Sequence, residues 1–279
     1  MNRKEFEAMG DRHKAFEIRE AGRRLMPGLP AIVRLDGRSF HSFTKNLGRP
    51  FDSRLSQAMV ETTKFLVQES NASIGYTQSD EITLVFPNVD PTKQMLFDGK
   101  VQKICSVLAS LASVKFNREV LSYIPEKAHL LPVFDARVYN YPTLELTAEN
   151  LVWRESDATR NSLTMAAHAF YPANELHKAG YAQKHEMLFA KGVNWNDYPV
   201  FFKRGTYVRR ELVMKELTAE ELSLIPEKHR PAGPVERTVV RDVAMPPITK
   251  ISNILGVLFF SEKPVETASS PAPEFSFVG

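Results

Sequence analysis

The sequence predicts an α+β fold: a ferredoxin-like β-α-β-β-α-β unit with an antiparallel sheet, followed by a helical C-terminal half that carries a β-hairpin. Three observations predict it. Apolar residues alternate through Ala31 to Asp36; two short β-runs meet at a bend in IGYTQSDEITLVF, residues 74–86; and apolar stripes at helical spacing fill the segments on either side of that hairpin.

In chain order, the first strand places Ala31, Val33 and Leu35 on one face and Ile32, Arg34 and Asp36 on the other. The segment DSRLSQAMVETTKFLVQ then predicts a helix, with Asp52 or Ser53 as N-cap and Leu55, Met59, Thr62 and Leu66 at helical spacing. The hairpin of residues 73–86 follows and is closed by Pro87. A long helix is predicted from about residue 92 to 117, with Val101, Ile104, Cys105, Leu108, Leu111 and Ala112 on one stripe, and PVFDARVYNYP reads as the fourth strand. Such a sheet carries its helices on one face and leaves the other open to a ligand. Beyond Pro142, WRESDATRNSLTMAAHAFY and ELHKAGYAQKHEMLFAKG read as helices, and GTYVRRELVMKEL with VERTVVRDVAM as a basic strand pair. The expected organisation is a catalytic unit over 1–141, a C-terminal domain over 142–260 and a flexible tail over 261–279, rich in Pro, Ser and Glu.

The totals narrow the class. With 279 residues, 43% hydrophobic and 25% charged, the chain has the composition of a soluble protein with a sizeable core. No run approaches the ~18–20 apolar residues of a membrane span, so no membrane partner is expected. The N-terminus is too charged for the apolar core of a signal peptide. A single cysteine, Cys105, excludes an intrachain disulfide and, within an amphipathic run, reads as a packing residue; the compartment expected is the cytoplasm. The net charge of +3 does not identify a nucleic-acid binder, although Arg23-Arg24, Lys203-Arg204 and Arg209-Arg210 beside Tyr207 form local basic pairs.

The chemistry concentrates where the topology brings strand ends together. Asp36 ends the first strand; Ser79, Asp80 and Glu81 occupy the hairpin bend beside it. Carboxylates that converge without a basic partner are costly unless a cation joins them. Magnesium suits two carboxylates, a backbone carbonyl such as that of Gly37, and substrate phosphates. Arg34, and the donor-rich Arg38, Ser39 and His41, add phosphate-binding capacity, and Lys103 lies off the apolar stripe of its helix. This is the equipment of phosphoryl or nucleotidyl transfer, in which two ions roughly 3.5–4 Å apart clamp the attacking and leaving oxygens. Taken singly, an Asp-Gly pair reads as a turn, His41 as a core histidine and Lys103 as a solvated charge. Glu81 points to the opposite face from Asp80, which fits a supporting role as well as a catalytic one.

RLDGRSFHSF, RPFDSR, GYTQSDEITLVF, FDARVYNYP, WRESDATRNS, EMLFAKGVNWNDYP and FKRGTYV follow one another in order. Together they resemble the tRNA-His guanylyltransferase family, and within it the Thg1-like, bacterial-type branch, over about residues 19–256. The resemblance implies a polymerase-type palm that works in the 3′-to-5′ direction, adding nucleotides to the 5′ end of tRNA after that end is activated with ATP or GTP. It implies Mg²⁺ as two ions held by Asp36, the Gly37 carbonyl and Asp80, and catalysis by Asp36, Asp80 and Glu81. It implies nucleotide contacts from Asp36, Gly37, Arg38, Ser39, Phe40, His41, Ser79 and Asp80, with Lys103 matching a triphosphate-binding lysine. Lys203 and Arg204 resemble an RNA- or phosphate-facing segment, Asn161 is a further RNA-contact candidate, and a homotetramer is implied. Of the His-Ile-Asn motif of eukaryotic-type members, followed there by a further Asn, only Asn161 is present, within Asp157-Ala158-Thr159-Arg160-Asn161-Ser162. That departure favours templated repair of 5′-truncated tRNA over obligatory addition of G. The palm topology alone also admits a nucleotide cyclase, and the open sheet face a non-catalytic RNA-binding module. Basic helices and strands in the second half argue against the first, and a carboxylate on the first strand's face argues against the second.

Overall fold

A computed structural model of the chain describes residues 2–90 and 92–267. Its strands are β1 (Ala31–Gly37), β2 (Ile74–Gln78), β3 (Glu81–Phe86), β4 (Phe134–Asn140), β5 (Thr206–Lys215) and β6 (Val235–Val243). They form one antiparallel sheet in the order β4-β1-β3-β2-β5-β6. The helices are α1 (Arg3–Ala21), α2 (Phe40–Phe43), α3 (Ser53–Ser70), α4 (Val101–Tyr123), α5 (Leu144–His168), α6 (Ala173–Leu176), α7 (Tyr181–Ala190), α8 (Val200–Arg204), α9 (Ala219–Ser223) and α10 (Ile254–Phe259). The run β1-α3-β2-β3-α4-β4, with strand order 4-1-3-2, is the ferredoxin-like unit expected from the periodicities. The basic hairpin β5–β6 continues the same sheet by pairing β5 to β2, so the sheet runs across residue 141.

Alternation along each strand builds two cores. Val33, Leu35, Ile82 and Leu84 face α3 and α4, where they meet Leu66, Ile104, Leu108 and Phe116. Ile32, Ile74, Tyr76, Val85 and Tyr207 occupy the opposite face. That face is not open as expected: α5 covers it with Ala148 and Leu151, and α10 with Leu258. Ile32 is the apolar residue of β1 on this side, and burying such a side chain contributes roughly 1.5–3 kcal/mol.

Several helix boundaries differ from the periodic reading, among them that of α5, which starts at Leu144 rather than Trp153 and ends at His168. The long helix starts at Val101 and ends at Tyr123 rather than running from about 92 to 117. Before it, Phe97, Asp98 and Gly99 take left-handed conformations that no helix continues through, and this loop is tied to residues 23–25 by Leu25 N–H to Gly99 O at 2.8 Å and Val101 N–H to Arg23 O at 3.1 Å. The segment from Glu175 to Gly192 is broken at Ala179-Gly180 into α6 and α7, with Gly180 as the N-cap of α7. Of the expected tail, Ser252 N–H donates to Val265 O and Thr267 N–H to Lys250 O, so residues 265–267 lie along 250–252; residues 268–279 are outside the described residues.

The α8–β5 junction depends on Gly205. Its φ is +79°, and a Cβ there would stand 2.6 Å from Thr77 O and 2.8 Å from the Tyr76 ring. Strain and overlap act together, so Gly205→Ala is expected to cost about 2 kcal/mol or more in denaturant unfolding. An unchanged midpoint would mean that the junction relaxes freely.

Candidate active site

The ends of β1 and of the β2–β3 hairpin meet at one edge of the sheet. Asp36 pairs in register with Glu81 of β3 on one side and with Asp135 of β4 on the other. Ser79, with φ +53°, turns the chain, and the bend is held against the strand end because Gly37 N–H donates to Asp80 O at 3.0 Å. This brings the Asp36 and Asp80 carboxylates together as the sequence predicts. Burial pushes the Asp80 carboxyl above the usual carboxylate range; the Asp36 charge pushes the same way, while a hydrogen bond from Ser79 pulls against it. Asp36 and Asp80 form no ion pair with a described basic side chain, whereas Glu81 beside them does.

Glu81, read from the sequence as either catalytic or supporting, has two basic partners. The Arg154 fork on α5 grips it through Nε to Oε1 and Nη2 to Oε2, both at 2.7 Å, and Arg34 Nε stands 3.9 Å away. Burial raises the Glu81 carboxyl, and Arg154 and Arg34 pull against that rise. A carboxylate held on both oxygens is a structural anchor for the hairpin rather than a free base or metal ligand. Arg154 and Asp135 are the two site residues that strand alternation did not single out. Antiparallel register makes Asp135 the neighbour of Asp36, and Arg154 stands in the quoted WRESD run.

The donor loop divides into two sets. Arg38, Ser39 and His41 are exposed, Arg38 N–H donating to Val133 O at 2.9 Å and His41 Nε2 standing 3.1 Å from Ser42 Oγ. His41 is therefore not a core histidine. Arg38, Ser39 and Ser42 line a cavity of about 280 Å³ completed by Phe43 and residues 130–133. The Phe40 side chain, by contrast, points into the core, its ring 5.2 to 5.3 Å from those of Phe43, Phe116 and Phe134. Only its backbone remains to meet a nucleotide. Gly37 has a packing role here as well, because a Cβ would fall 2.4 Å from the Phe40 ring.

Lys103 is not brought to this site. It stands in the first turn of α4, lines a cavity with Phe86, Pro87 and Asp98, and lies over the Phe97 ring at 5.1 Å. Phe86 pairs with Ala31, five residue pairs along the ladder from Asp36–Glu81, or roughly 17 Å at ~3.4 Å per residue. A helix joining β3 to β4 must start at the far end of those strands, so Lys103 of the same chain cannot reach phosphates held at Asp36 and Asp80.

The residues read as RNA-facing separate in the same way. Asn161 is exposed on α5 and donates to Asp157 Oδ2 at 3.2 Å; Arg154 Nη1 lies 3.6 Å from the same oxygen, which links Asn161 to the hairpin. Lys203 Nζ donates to Asn196 O and lies over the Trp195 ring at 5.5 Å. Arg204 turns inward: Nη1 is 3.6 Å from the buried Glu155 carboxylate and Nη2 donates to Met245 O at 3.3 Å. Glu155 also accepts from Tyr207 Oη and Ile248 N–H, both at 3.0 Å, and burial raises its carboxyl despite these donors. Arg204 is thus engaged by Glu155 and Met245 O while it lines the cavity at the α8–β5 junction.

The donor set fits a hard divalent cation. Among the described residues no group of three or more His, Cys, Asp or Glu forms a protein-only cage. Two facing carboxylates beside a strand-end carbonyl match an ion that keeps waters and shares phosphate oxygens. No described helix is long and apolar enough to cross a membrane.

Comparison with known proteins places the chain among the following relatives. The family model for tRNAHis guanylyltransferase (Thg1) matches residues 10–142. Uncharacterized protein R259 of Acanthamoeba polyphaga mimivirus is 35% identical over 74% of this chain and 78% of its own length. The tRNA(His) guanylyltransferase of Debaryomyces hansenii is 32% identical over 67% of this chain and 76% of its own. A bacterial tRNA(His) guanylyltransferase (Thg1)-like protein solved in complex with ATP superposes with a TM-score of 0.68 at 38% identity, covering 73% of this chain and 87% of that one. A complex of such a protein with GTP gives a TM-score of 0.65 at 33% identity, covering 87% and 94%.

Proposed function

The chain belongs to the tRNA(His) guanylyltransferase family of nucleotidyltransferases, and we propose that it is a magnesium-dependent 3′–5′ nucleotidyltransferase whose reacting groups meet between Asp36 and Asp80. The observation that carries this reading is the pairing of those two carboxylates at the strand end, beside the exposed donors Arg38, Ser39 and His41. Asp36, Asp80 and the Gly37 carbonyl would hold Mg²⁺, which when bound lowers the charge on phosphate oxygens and favours attack at phosphorus. The chain's own contribution is placement. Gly37 N–H fixes the bend, Glu81 is kept out of the donor set by Arg154, and Arg38, Ser39 and His41 offer donors to phosphate oxygens as charge develops on them.

The substrates of this reading are ATP or GTP and the 5′ end of a tRNA, in the cytoplasm. Asp157-Ala158-Thr159-Arg160-Asn161-Ser162 supports templated repair of a shortened end over obligatory addition of G. Homotetrameric assembly belongs to the same reading and is supported by the projecting β5–β6 ribbon, whose Leu212 and Met214 are each 68% exposed; light scattering on the purified chain tests it.

The test offers Mg²⁺ and all four nucleoside triphosphates with two RNAs, a 5′-monophosphorylated tRNA lacking its first nucleotide and an intact tRNA-His, and reads the 5′ end on a sequencing gel. Restoration of the missing nucleotide by Watson–Crick choice is expected. Addition of G to tRNA-His regardless of template would overturn the repair reading, and growth of neither RNA would overturn the substrate.

A further inference from the structure

We propose that Trp153 is a stacking shelf for a nucleobase beside the Asp36–Asp80 site. Trp153 is 48% exposed, yet its ring is held in place: the Arg154 guanidinium lies over it with Cζ 4.7 Å from the ring centroid. That guanidinium is itself fixed by two 2.7 Å bonds to Glu81, which is the cross-strand partner of Asp36 and the chain neighbour of Asp80. The indole is therefore one side chain removed from the carboxylates, and its position is coupled to theirs.

The neighbouring α5 side chains have structural work that Trp153 lacks. Leu151 is buried in the sheet core, Arg154 is clasped to Glu81, and Glu155 receives Tyr207 and Ile248. An indole left half in water presents a flat aromatic face with a polar edge, which a planar ligand can cover. Bases stack on aromatic faces without regard to sequence, and an arginine stacked on the other ring face adds a cation–π term. The inference rests on the nucleotidyl-transfer reading above. The base can come from a free nucleoside triphosphate or from the end of the RNA; both present the same π-face.

The chain has two tryptophans, so Trp195→Phe leaves Trp153 as the sole indole emitter. In that protein, tryptophan emission is followed during titration with GTP, ATP, inorganic tripolyphosphate and 5′-monophosphorylated tRNA lacking its first nucleotide. Saturable quenching by GTP or ATP but not by tripolyphosphate is expected if the base is that of the free nucleotide. Quenching by the RNA alone assigns the shelf to the RNA end. No quenching by either, or equal quenching by tripolyphosphate, overturns the proposal. In steady state, Trp153→Leu is expected to raise KM for the stacked partner by about 5- to 100-fold, with a smaller change in kcat, and Trp153→Phe to fall between. Unchanged KM in a protein that adds nucleotides normally overturns the shelf while leaving the reaction intact; absence of transfer in the wild type overturns the reaction, and the quenching result then stands alone.

Discussion

Asp80→Asn is expected to abolish nucleotide addition, by on the order of 10³-fold or more in kcat, while making the metal-free protein more stable at neutral pH. The two effects have one origin. Asp80 is pushed above the usual carboxylate range by burial and, in second place among the raising effects, by the Asp36 charge. A carboxyl whose folded pKa is raised holds its proton more tightly when folded. Its contribution to stability is present below the unfolded carboxylate range and is lost as pH rises through the raised folded value. At pH 7 the wild-type pair is therefore a liability without a cation, and the neutral amide removes it. Thermal unfolding in EDTA, from below the ordinary carboxylate range up to neutral pH, checks this: the stability of the wild type relative to Asp80→Asn should fall as pH rises. With added Mg²⁺ the order should narrow or reverse, because a cation bound to the native state stabilises it by mass action. A variant that still transfers nucleotides at the wild-type rate would remove Asp80 from the site.

Much of this arrangement is legible before any coordinates. A period of two in residues 31–36 and a bend at 79–81 point to Asp36 beside Asp80, because antiparallel pairing of β1 and β3 must bury Val33, Leu35, Ile82 and Leu84 on one face and the bend lies at the end of β1. The position of Lys103 is legible in the topology as well. A helix that links two parallel-running strands of one sheet begins at their far end, so the first turn of α4 could not lie at the hairpin bend. Phe40 shows a different limit. In RLDGRSFH it sits among phosphate-binding residue types, and only packing reveals that its ring fills the space left by the missing Gly37 side chain. The covered sheet face was hidden because α5 buries a glutamate: Glu155 occupies the core-facing row with Ala148 and Leu151, which breaks the apolar stripe that periodicity detects. Pairings across long sequence separations, such as Glu81 with Arg154, leave no local signal.

That last pair supports the second large prediction. Glu81 and Arg154 are mostly buried and joined by two short charge-assisted bonds, so Arg154→Met leaves a carboxylate in a poorly solvated place beside Asp36. The expected cost is about 3–5 kcal/mol of stability, most of it the penalty of the abandoned charge rather than the worth of the pair. Glu81→Gln with Arg154→Met removes both charges and should recover most of that loss, because hydrophobic and neutral groups of similar size fill such sites well. Nucleotide transfer should not recover with it. Arg154 keeps Glu81 from competing for the cation at Asp80, and it links the hairpin to Asp157 and Asn161 on α5. The double variant restores the first condition and leaves the second broken. Denaturant unfolding of the two single variants and the double variant gives the coupling energy, and transfer assays at several Mg²⁺ concentrations separate the effects. If Arg154→Met is as stable as the wild type, the clasp does not anchor the hairpin. If the double variant recovers full activity as well as stability, the route from the carboxylates through Arg154 to α5 has no part in the reaction.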